Sequence, residues 1–138
     1  MLVGDWVIRA SFMLYNLEYF NSELPLPNIK VRHSYKTLGY FSCEYDDDGY
    51  MYDQTIEVSD YYDYDEFQIR DIVVHEMIHY YLAYNGIDPQ CRHGKEFKKM
   101  AKEFNKKYGM NITPKINLST YKLQEGKSKF MQTLSTLF

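Results

Sequence analysis

Two histidines stand four residues apart inside an apolar stretch of this chain, and a glutamate directly follows the first. The segment reads Val73-Val74-His75-Glu76-Met77-Ile78-His79, with isoleucine, tyrosine and leucine residues on its flanks. A spacing of i and i+4 places both imidazoles on one face of a helix, about one turn apart. Polar groups in a buried helix need partners, because an unpaired buried charge is costly. The stretch therefore predicts a buried helix over about 66–85 whose imidazoles share one metal ion.

Zinc is the expected ion, because two neutral imidazoles and a third protein ligand leave one position open to water. Glu76 follows the first ligand, at the usual place of the general base that takes the proton of the metal-bound water. Zinc lowers the pKa of that water to roughly 7 in favourable sites. The motif also occurs by chance on amphipathic helices with surface histidines, and the apolar flanks favour the buried alternative.

A third ligand is required, and His93 is the first candidate. It stands fourteen residues after His79, across a loop, and Gly94 after it would let backbone approach closely. Glu96, one helical turn further on, is the rival ligand, because a glutamate on a helix can complete a zinc site. Cys91 is close enough in sequence to compete as well. His93 followed by glycine fits the pattern best.

Periodic apolar residues predict two more helices around the motif. The first covers 6–20, with Asp5 as its N-cap. Its predicted buried stripe consists of Trp6, Ala10, Met13, Leu17 and Phe20. The other helix begins near His93 and ends at Gly109, with an apolar stripe made of Phe97, Met100, Ala101, Phe104 and Tyr108. Gly86 is placed to end the motif helix in a left-handed conformation.

Three short strands, expected to be antiparallel, lie between the first helix and the motif helix. Alternating residues indicate strands at 29–35, 38–45 and 55–59, and the turn Asp46-Asp47-Asp48-Gly49 separates the last two. That acidic turn lacks the twelve-residue spacing of a calcium loop. The aromatic and acidic stretch 61–65 supplies Asp residues that can cap the motif helix. The chain is thus predicted to be of the α+β class.

Length and composition favour a single soluble domain. The chain has 138 residues, of which 45% are hydrophobic and 25% charged. No apolar run approaches the ~18 residues of a membrane span. Two cysteines are too few for a disulfide scaffold or a zinc ribbon. No basic and then apolar leader is visible at the start, so we expect a cytoplasmic protein that does not contact membranes.

The net charge of -3 is an average over two unlike parts. Residues 1–90 hold 5 Lys and Arg against 16 Asp and Glu, or -11, whereas residues 91–138 hold 11 against 3, or +8. Six lysines fall on the predicted third helix, opposite its apolar stripe: Lys95, Lys98, Lys99, Lys102, Lys106 and Lys107. A solvated helix face is the favoured interpretation, and a DNA-binding surface is the alternative.

Together these residues resemble the SprT-like zinc metalloproteases, which include the bacterial SprT proteins and the Spartan proteases that act on DNA–protein crosslinks. The resemblance covers roughly residues 6–115 and is most specific in His75-Glu76-Met77-Ile78-His79 followed by His93-Gly94-Lys95-Glu96-Phe97. It implies that His75, His79 and His93 bind Zn²⁺ and that Glu76 is the catalytic base. It also implies a compact zincin-like domain over 1–116, with a small antiparallel sheet packed against the first helix and the motif helix. Residues 117–138 would form a basic tail without a zinc ribbon.

The leading hypothesis is a zinc-dependent endopeptidase that cleaves protein or peptide substrates, with DNA-associated proteins as one substrate class. By resemblance, the strand 55–59 is the candidate sheet edge for pairing with substrate, and an internal position for this strand is the alternative. His33, Tyr80 and Tyr84 are weak candidates for stabilising the oxyanion. Two alternatives stay open: a DNA-associated module whose metal is structural, and a latent protease that depends on a partner.

Overall fold

The motif helix forms the centre of the fold. A computed structural model describes residues 3–124, and residues 1–2 and 125–138 lie outside the described part. The helices are α1 (Asp5–Tyr19), α2 (Glu66–Tyr84) and α3 (Lys95–Tyr108), with a short 3-10 turn at Leu118–Thr120. The strands are β1 (Asn28–Arg32), β2 (Gly39–Tyr45), β3 (Met51–Ser59), β4 (Tyr62–Asp63) and β5 (Lys122–Leu123). The predicted α+β class is confirmed.

The main sheet is mixed, whereas an antiparallel sheet was expected. Its strand order is β1-β3-β2, with β2 antiparallel to β3 and β1 parallel to it. The connection between β1 and β2 passes the end of β3, where the Ser59 N–H donates to the Leu38 carbonyl and the Asp60 N–H to the Arg32 carbonyl. The β2–β3 hairpin thereby places β3 in the middle. The expectation that residues 55–59 form a sheet edge is therefore wrong, and the internal alternative holds.

The first helix buries a different face from the predicted one. Ile8, Phe12, Tyr15 and Asn16 are its buried residues. By contrast, Trp6, Met13 and Leu17 of the predicted stripe are 72%, 59% and 66% exposed, whereas Phe20, the C-cap, is buried as predicted. Asn16 fixes this orientation, because its side chain donates to the Leu24 carbonyl and accepts from the Leu24 N–H, at 2.8 and 3.2 Å. The N-cap of α1 is Gly4, one residue before the predicted Asp5.

Both ends of α2 follow the sequence signals. Asp65 and Gln68 form a reciprocal capping box at its start, as the prediction of an Asp cap required. At its end, Gly86 adopts φ +70°, the left-handed conformation that favours glycine. The helix is buried on nearly all sides because the sheet, α1 and α3 all pack against it. Tyr80, for example, lies between Phe12 of α1 and Phe41 of β2.

The third helix buries three residues of its predicted apolar stripe, half-buries the other two, Met100 and Tyr108, and leaves its lysines exposed. Phe97, Ala101 and Phe104 are buried, and Gly109 ends the helix at φ +66°. Beyond it, β5 pairs with β4, so the described chain packs on the domain as far as residue 124. The boundary at residue 116 stays a prediction, and the rest of the predicted tail lies outside the described residues. Among residues 3–124, no helix has the length and apolar character needed to cross a bilayer.

Candidate metal centre

Three histidine side chains converge where α2 faces the start of α3. The Nε2 atom of His93 lies 3.1 Å from Nε2 of His75 and 3.0 Å from Nε2 of His79. Potential ligand atoms of all three residues lie within 4.8 Å of one another. Three imidazole nitrogens directed at one point cannot satisfy each other by hydrogen bonds, because a neutral ring has one N–H donor. The described residues therefore contain a site that can hold a metal ion.

The spacing of the nitrogen atoms fits a small tetrahedral ion. A Zn–N bond of ~2.0–2.1 Å with tetrahedral angles gives ligand nitrogens about 3.3–3.4 Å apart. The separations of 3.0 and 3.1 Å are within a few tenths of an ångström of that value. Two histidines come from successive turns of one helix and the third from a separate loop, and no fourth His, Cys, Asp or Glu of the described residues joins this group. His75 and His79 are buried and His93 is exposed.

The surroundings keep these imidazoles neutral at pH 7. Burial is the main cause that lowers the pKa of His75 to about 3 and that of His79 to about 4, and the neighbouring imidazoles add to the effect. The pKa of His93 is also lowered, first by the partial burial of its ring and then by the positive charge of Lys98. Metals bind the neutral form of imidazole. The chain thus presents its three histidines in the form that a metal requires.

The Phe97 ring packs against all three imidazole rings. It is fully buried, and its ring centroid lies 4.8, 4.5 and 4.9 Å from those of His75, His79 and His93. The sequence pattern marked this phenylalanine as part of an apolar stripe, and its contact with every histidine of the site was not foreseen. Its place in the first turn of α3, directly after the His93 loop, is the sequence signal that could have indicated this contact.

The two rival ligands do not join the cluster. Glu96 is exposed on α3, and Cys91 is half-buried in the wall of the same groove. Neither belongs to the group of ligand atoms that the described residues bring together. Burial raises the pKa of the Cys91 thiol to about 12, which disfavours the thiolate that metal ligation requires. The geometry favours His93 as the third ligand.

A tightly bonded loop brings His93 to the helix. The N–H groups of Ile87 and Asp88 both donate to the Leu82 carbonyl, and the Arg92 N–H donates to Asp88 Oδ2 at 2.8 Å. The Tyr45 hydroxyl donates to the Pro89 carbonyl and ties the loop to β2. Gly94 has no neighbouring atoms near the position of a Cβ, so the close backbone approach expected there is absent.

Glu76 lies on the floor of the groove, beside β2. It is 4% exposed, and its Oε2 atom lies 4.0 Å from His75 Nε2. Burial raises the pKa of this carboxyl to about 8. A Cβ atom at Gly39 would lie 2.8 Å from Glu76 Oε2 and 3.0 Å from Ile72 Cγ2, so β2 approaches α2 here as closely as only glycine permits. Gly39 was not among the predicted residues of the site.

The three histidines and Glu76 open into a groove of about 580 Å³. One wall is the start of β2 and the loop before it, from Lys36 to Phe41. The opposite wall includes Pro114, Lys115, Ile116 and Leu118. In the part of the chain that the structure describes, no strand pairs with the outer side of β2, so its free backbone edge runs beside the groove. The site is therefore a cleft next to an edge strand.

None of the three oxyanion candidates lines this groove. The Tyr80 side chain is buried and its hydroxyl donates to the Pro25 carbonyl. His33 is exposed, outside β1, and contacts the Asp60 carboxylate at 2.9 Å. Tyr84 lines a separate groove with Tyr45 and Tyr50. The cationic side chains in the wall of the metal groove are Lys36 and Lys115.

Comparison with known families agrees with this geometry. The model of the SprT-like family matches residues 8–122, which is well over half of the chain. The match includes the motif helix, the His93 loop, α3 and the wall of the groove. No curated protein matches the chain.

Proposed function

Because this chain belongs to the SprT-like family, we propose that it is a zinc-dependent endopeptidase. The observation that carries the proposal is the convergence of the His75, His79 and His93 Nε2 atoms beside a buried glutamate. Three neutral imidazoles with an open fourth position are the donor set of a catalytic zinc site, whereas structural sites are closed by a fourth protein ligand.

Zinc bound by the three histidines would polarise the peptide carbonyl and make water acidic enough to attack it at neutral pH. Glu76 would accept the proton of the attacking water at Oε2 and return it to the leaving amine. Burial raises the pKa of this carboxyl in the zinc-free chain, and the positive charge of bound zinc would lower it again and so favour the carboxylate that accepts the proton. Lys36 and Lys115 are the groove cations from which oxyanion stabilisation would come.

We propose that substrate pairs with β2 rather than with β3. The edge of β2 is free among the described residues and begins at Gly39, directly beside Glu76. An extended peptide that adds to this edge would be held by its main chain, with little dependence on its sequence. Such recognition suits unfolded protein segments, which expose long stretches of backbone.

A Glu76→Gln variant tests the function directly. We expect the wild-type chain to hold about one zinc ion and to cleave an unfolded protein such as reduced casein. The variant should hold the same amount of zinc and lose cleavage by about 100-fold or more. Wild-type protein without stoichiometric zinc would contradict the metal assignment. Equal cleavage by the variant would exclude Glu76 as the base. A wild-type chain that holds zinc but cleaves nothing would favour the partner-dependent protease.

A second candidate function is binding to DNA. The six lysines of α3 are all exposed, and Lys98 is near enough to the site to lower the pKa of His93. A lysine surface next to the groove would bring DNA-associated proteins to the site. The affinity of this lysine surface for single- and double-stranded DNA should fall steeply as the salt concentration rises from about 50 to 200 mM. This fall is expected because phosphate contacts release counterions. Absence of binding at the lower salt concentration would exclude this function.

A further inference from the structure

Two buried polar side-chain atoms in the described part of the chain have no hydrogen-bond partner. They are Nδ1 of His79 and Oδ1 of Asp88. Their chemistry is complementary. A histidine that offers the Nε2 lone pair to a metal carries its proton on Nδ1, so that atom becomes a donor, whereas a carboxylate oxygen is an acceptor.

The outer ring nitrogen of His75, unlike Nδ1 of His79, has a hydrogen-bond partner. Its ring hydrogen-bonds to the Thr113 backbone, an interaction that favours the protonated ring and so identifies Thr113 as the acceptor. His93 is exposed, and water can serve its outer nitrogen. Of the three proposed ligands, His79 is thus the one that is buried and lacks an outer partner.

The loop holds Asp88 close to His79. The Asp88 N–H donates to the carbonyl of Leu82, which lies three residues after His79 on the same side of α2. Asp88 is 9% exposed, and its negative charge acts to raise the pKa of His79 against the larger effect of burial. The guanidinium of Arg92 lies 3.7 Å from Asp88 Oδ1, too far for a hydrogen bond.

The other oxygen of the same carboxylate reaches the third ligand's loop. Asp88 Oδ2 accepts from the Arg92 N–H, the peptide group directly before His93. The carboxylate is therefore attached to the backbone beside one ligand, and its negative charge acts on the imidazole of another, His79.

We propose that Asp88 is a positioning residue of the metal site. When the metal is bound, the Nδ1–H group of His79 donates a hydrogen bond to Asp88 Oδ1, while Asp88 Oδ2 keeps the backbone before His93 in place. One buried carboxylate then orients two of the three ligands and selects the His79 tautomer that coordinates through Nε2. This inference rests on the proposed function only in requiring that the three histidines bind zinc. Outer partners of this kind typically contribute 10–100-fold in metal affinity.

Asp88→Asn and Asp88→Ala test the proposal. Asparagine can still accept from the Arg92 N–H, but it can turn an amide donor toward His79 and favour the wrong tautomer. Asp46→Asn is the matched control, because Asp46 also accepts backbone N–H groups, from Asp48 and Tyr50, in the distant hairpin turn. Zinc affinity is measured by competition with a chromophoric chelator on the full chain. We expect both Asp88 variants to bind zinc about 10–100-fold more weakly and Asp46→Asn to match wild type.

Proton NMR of wild-type protein with ¹⁵N-labelled histidine provides a readout that a merely structural loop residue would not change. Adding zinc should produce a slowly exchanging His79 Nδ1–H signal, and Asp88→Asn should abolish it while the His75 signal stays. Equal affinity in wild type and Asp88→Asn, or a rapidly exchanging His79 proton in zinc-bound wild type, would overturn the role of Asp88 and leave the metal site intact. Failure of the wild-type chain to bind zinc would overturn both proposals. Zinc binding without peptide cleavage would leave the role of Asp88 intact and overturn only a protease that acts without a partner.

Discussion

Replacing Gly39 by alanine adds one methyl group at the point where β2 meets the proposed catalytic base. The new Cβ would lie 2.8 Å from Oε2 and 3.1 Å from Cγ of Glu76, and 3.0 Å from Cγ2 of Ile72. Real Cβ atoms essentially never approach other heavy atoms to 2.8 Å, so part of the structure must move. Both neighbours are buried on α2, which is itself enclosed by the rest of the fold. Either the Glu76 carboxylate turns away or the edge of β2 lifts from the groove.

This crowding determines the expected loss of stability and of cleavage rate in Gly39→Ala. Overpacking by a single methyl group in a closely packed site costs roughly 1–3 kcal/mol, which lowers the melting temperature of a domain of this size by about 3–10 °C. A displacement of about 1 Å at a catalytic group reduces the rate by up to about 100-fold. The three histidines are not touched by the added methyl group. Cleavage should therefore fall much further than zinc content.

Three measurements on the same samples separate these effects. Zinc stoichiometry comes from elemental analysis, stability from thermal melts, and activity from cleavage of an unfolded protein. Gly4→Ala is the control, because its added Cβ has one neighbour, Trp6, at an ordinary 3.8 Å. We expect Gly39→Ala to keep its zinc, melt earlier and cleave at least tenfold more slowly. Wild-type stability and activity in Gly39→Ala would refute the contact between β2 and Glu76. Loss of zinc would show that the crowding reaches the ligands.

Two further substitutions probe the same site. Burial raises the pKa of Glu76 from 4.5 to about 8, so the zinc-free protein should lose stability as pH rises between these values, because the unfolded chain has already released the proton. Zinc-free Glu76→Gln should lack this loss and be more stable than wild type at pH 8 by up to about 4 kcal/mol in denaturant titrations; parallel pH profiles would contradict the buried carboxyl. Phe97→Leu should destabilise the protein by about 1 kcal/mol or more and weaken zinc binding, because Phe97 contacts all three histidines. Phe67→Leu, at a side chain that is 65% exposed, should change neither quantity, and equal effects of the two variants would show that Phe97 has no special role.

Local signals predicted the parts of the fold that are set by neighbours in sequence. Asp65 and Gly86 limit α2 through a capping box and a left-handed turn, both of which depend on a few adjacent residues. The spacing of His75 and His79 fixes their common face for the same reason. His93 was predicted as a ligand from its separation from the motif and because the segment that it begins resembles a family pattern. The structure now brings its Nε2 atom to the other two.

Predictions that depended on choices between distant segments failed. Helix α1 is apolar on two faces, and periodicity alone cannot decide which one is buried. The decision comes from Asn16, whose side chain pairs with the backbone of Leu24 and turns Trp6 and Leu17 outward. The parallel pairing of β1 with β3 likewise depends on the orientation of the β2–β3 hairpin, which places β3 rather than β2 next to β1. Neither interaction has a signature in the local hydrophobic pattern.

The site depends both on local sequence signals and on contacts between distant segments. The motif supplies two proposed ligands and the proposed base, but the atoms that orient them come from elsewhere in the chain. The Thr113 backbone holds the His75 ring, Phe97 supports all three imidazoles, and Gly39 leaves room for Glu76. A short motif on an unrelated helix would bring none of these partners. The motif therefore identifies the chemistry, and the distant contacts decide whether the same residues form a working site.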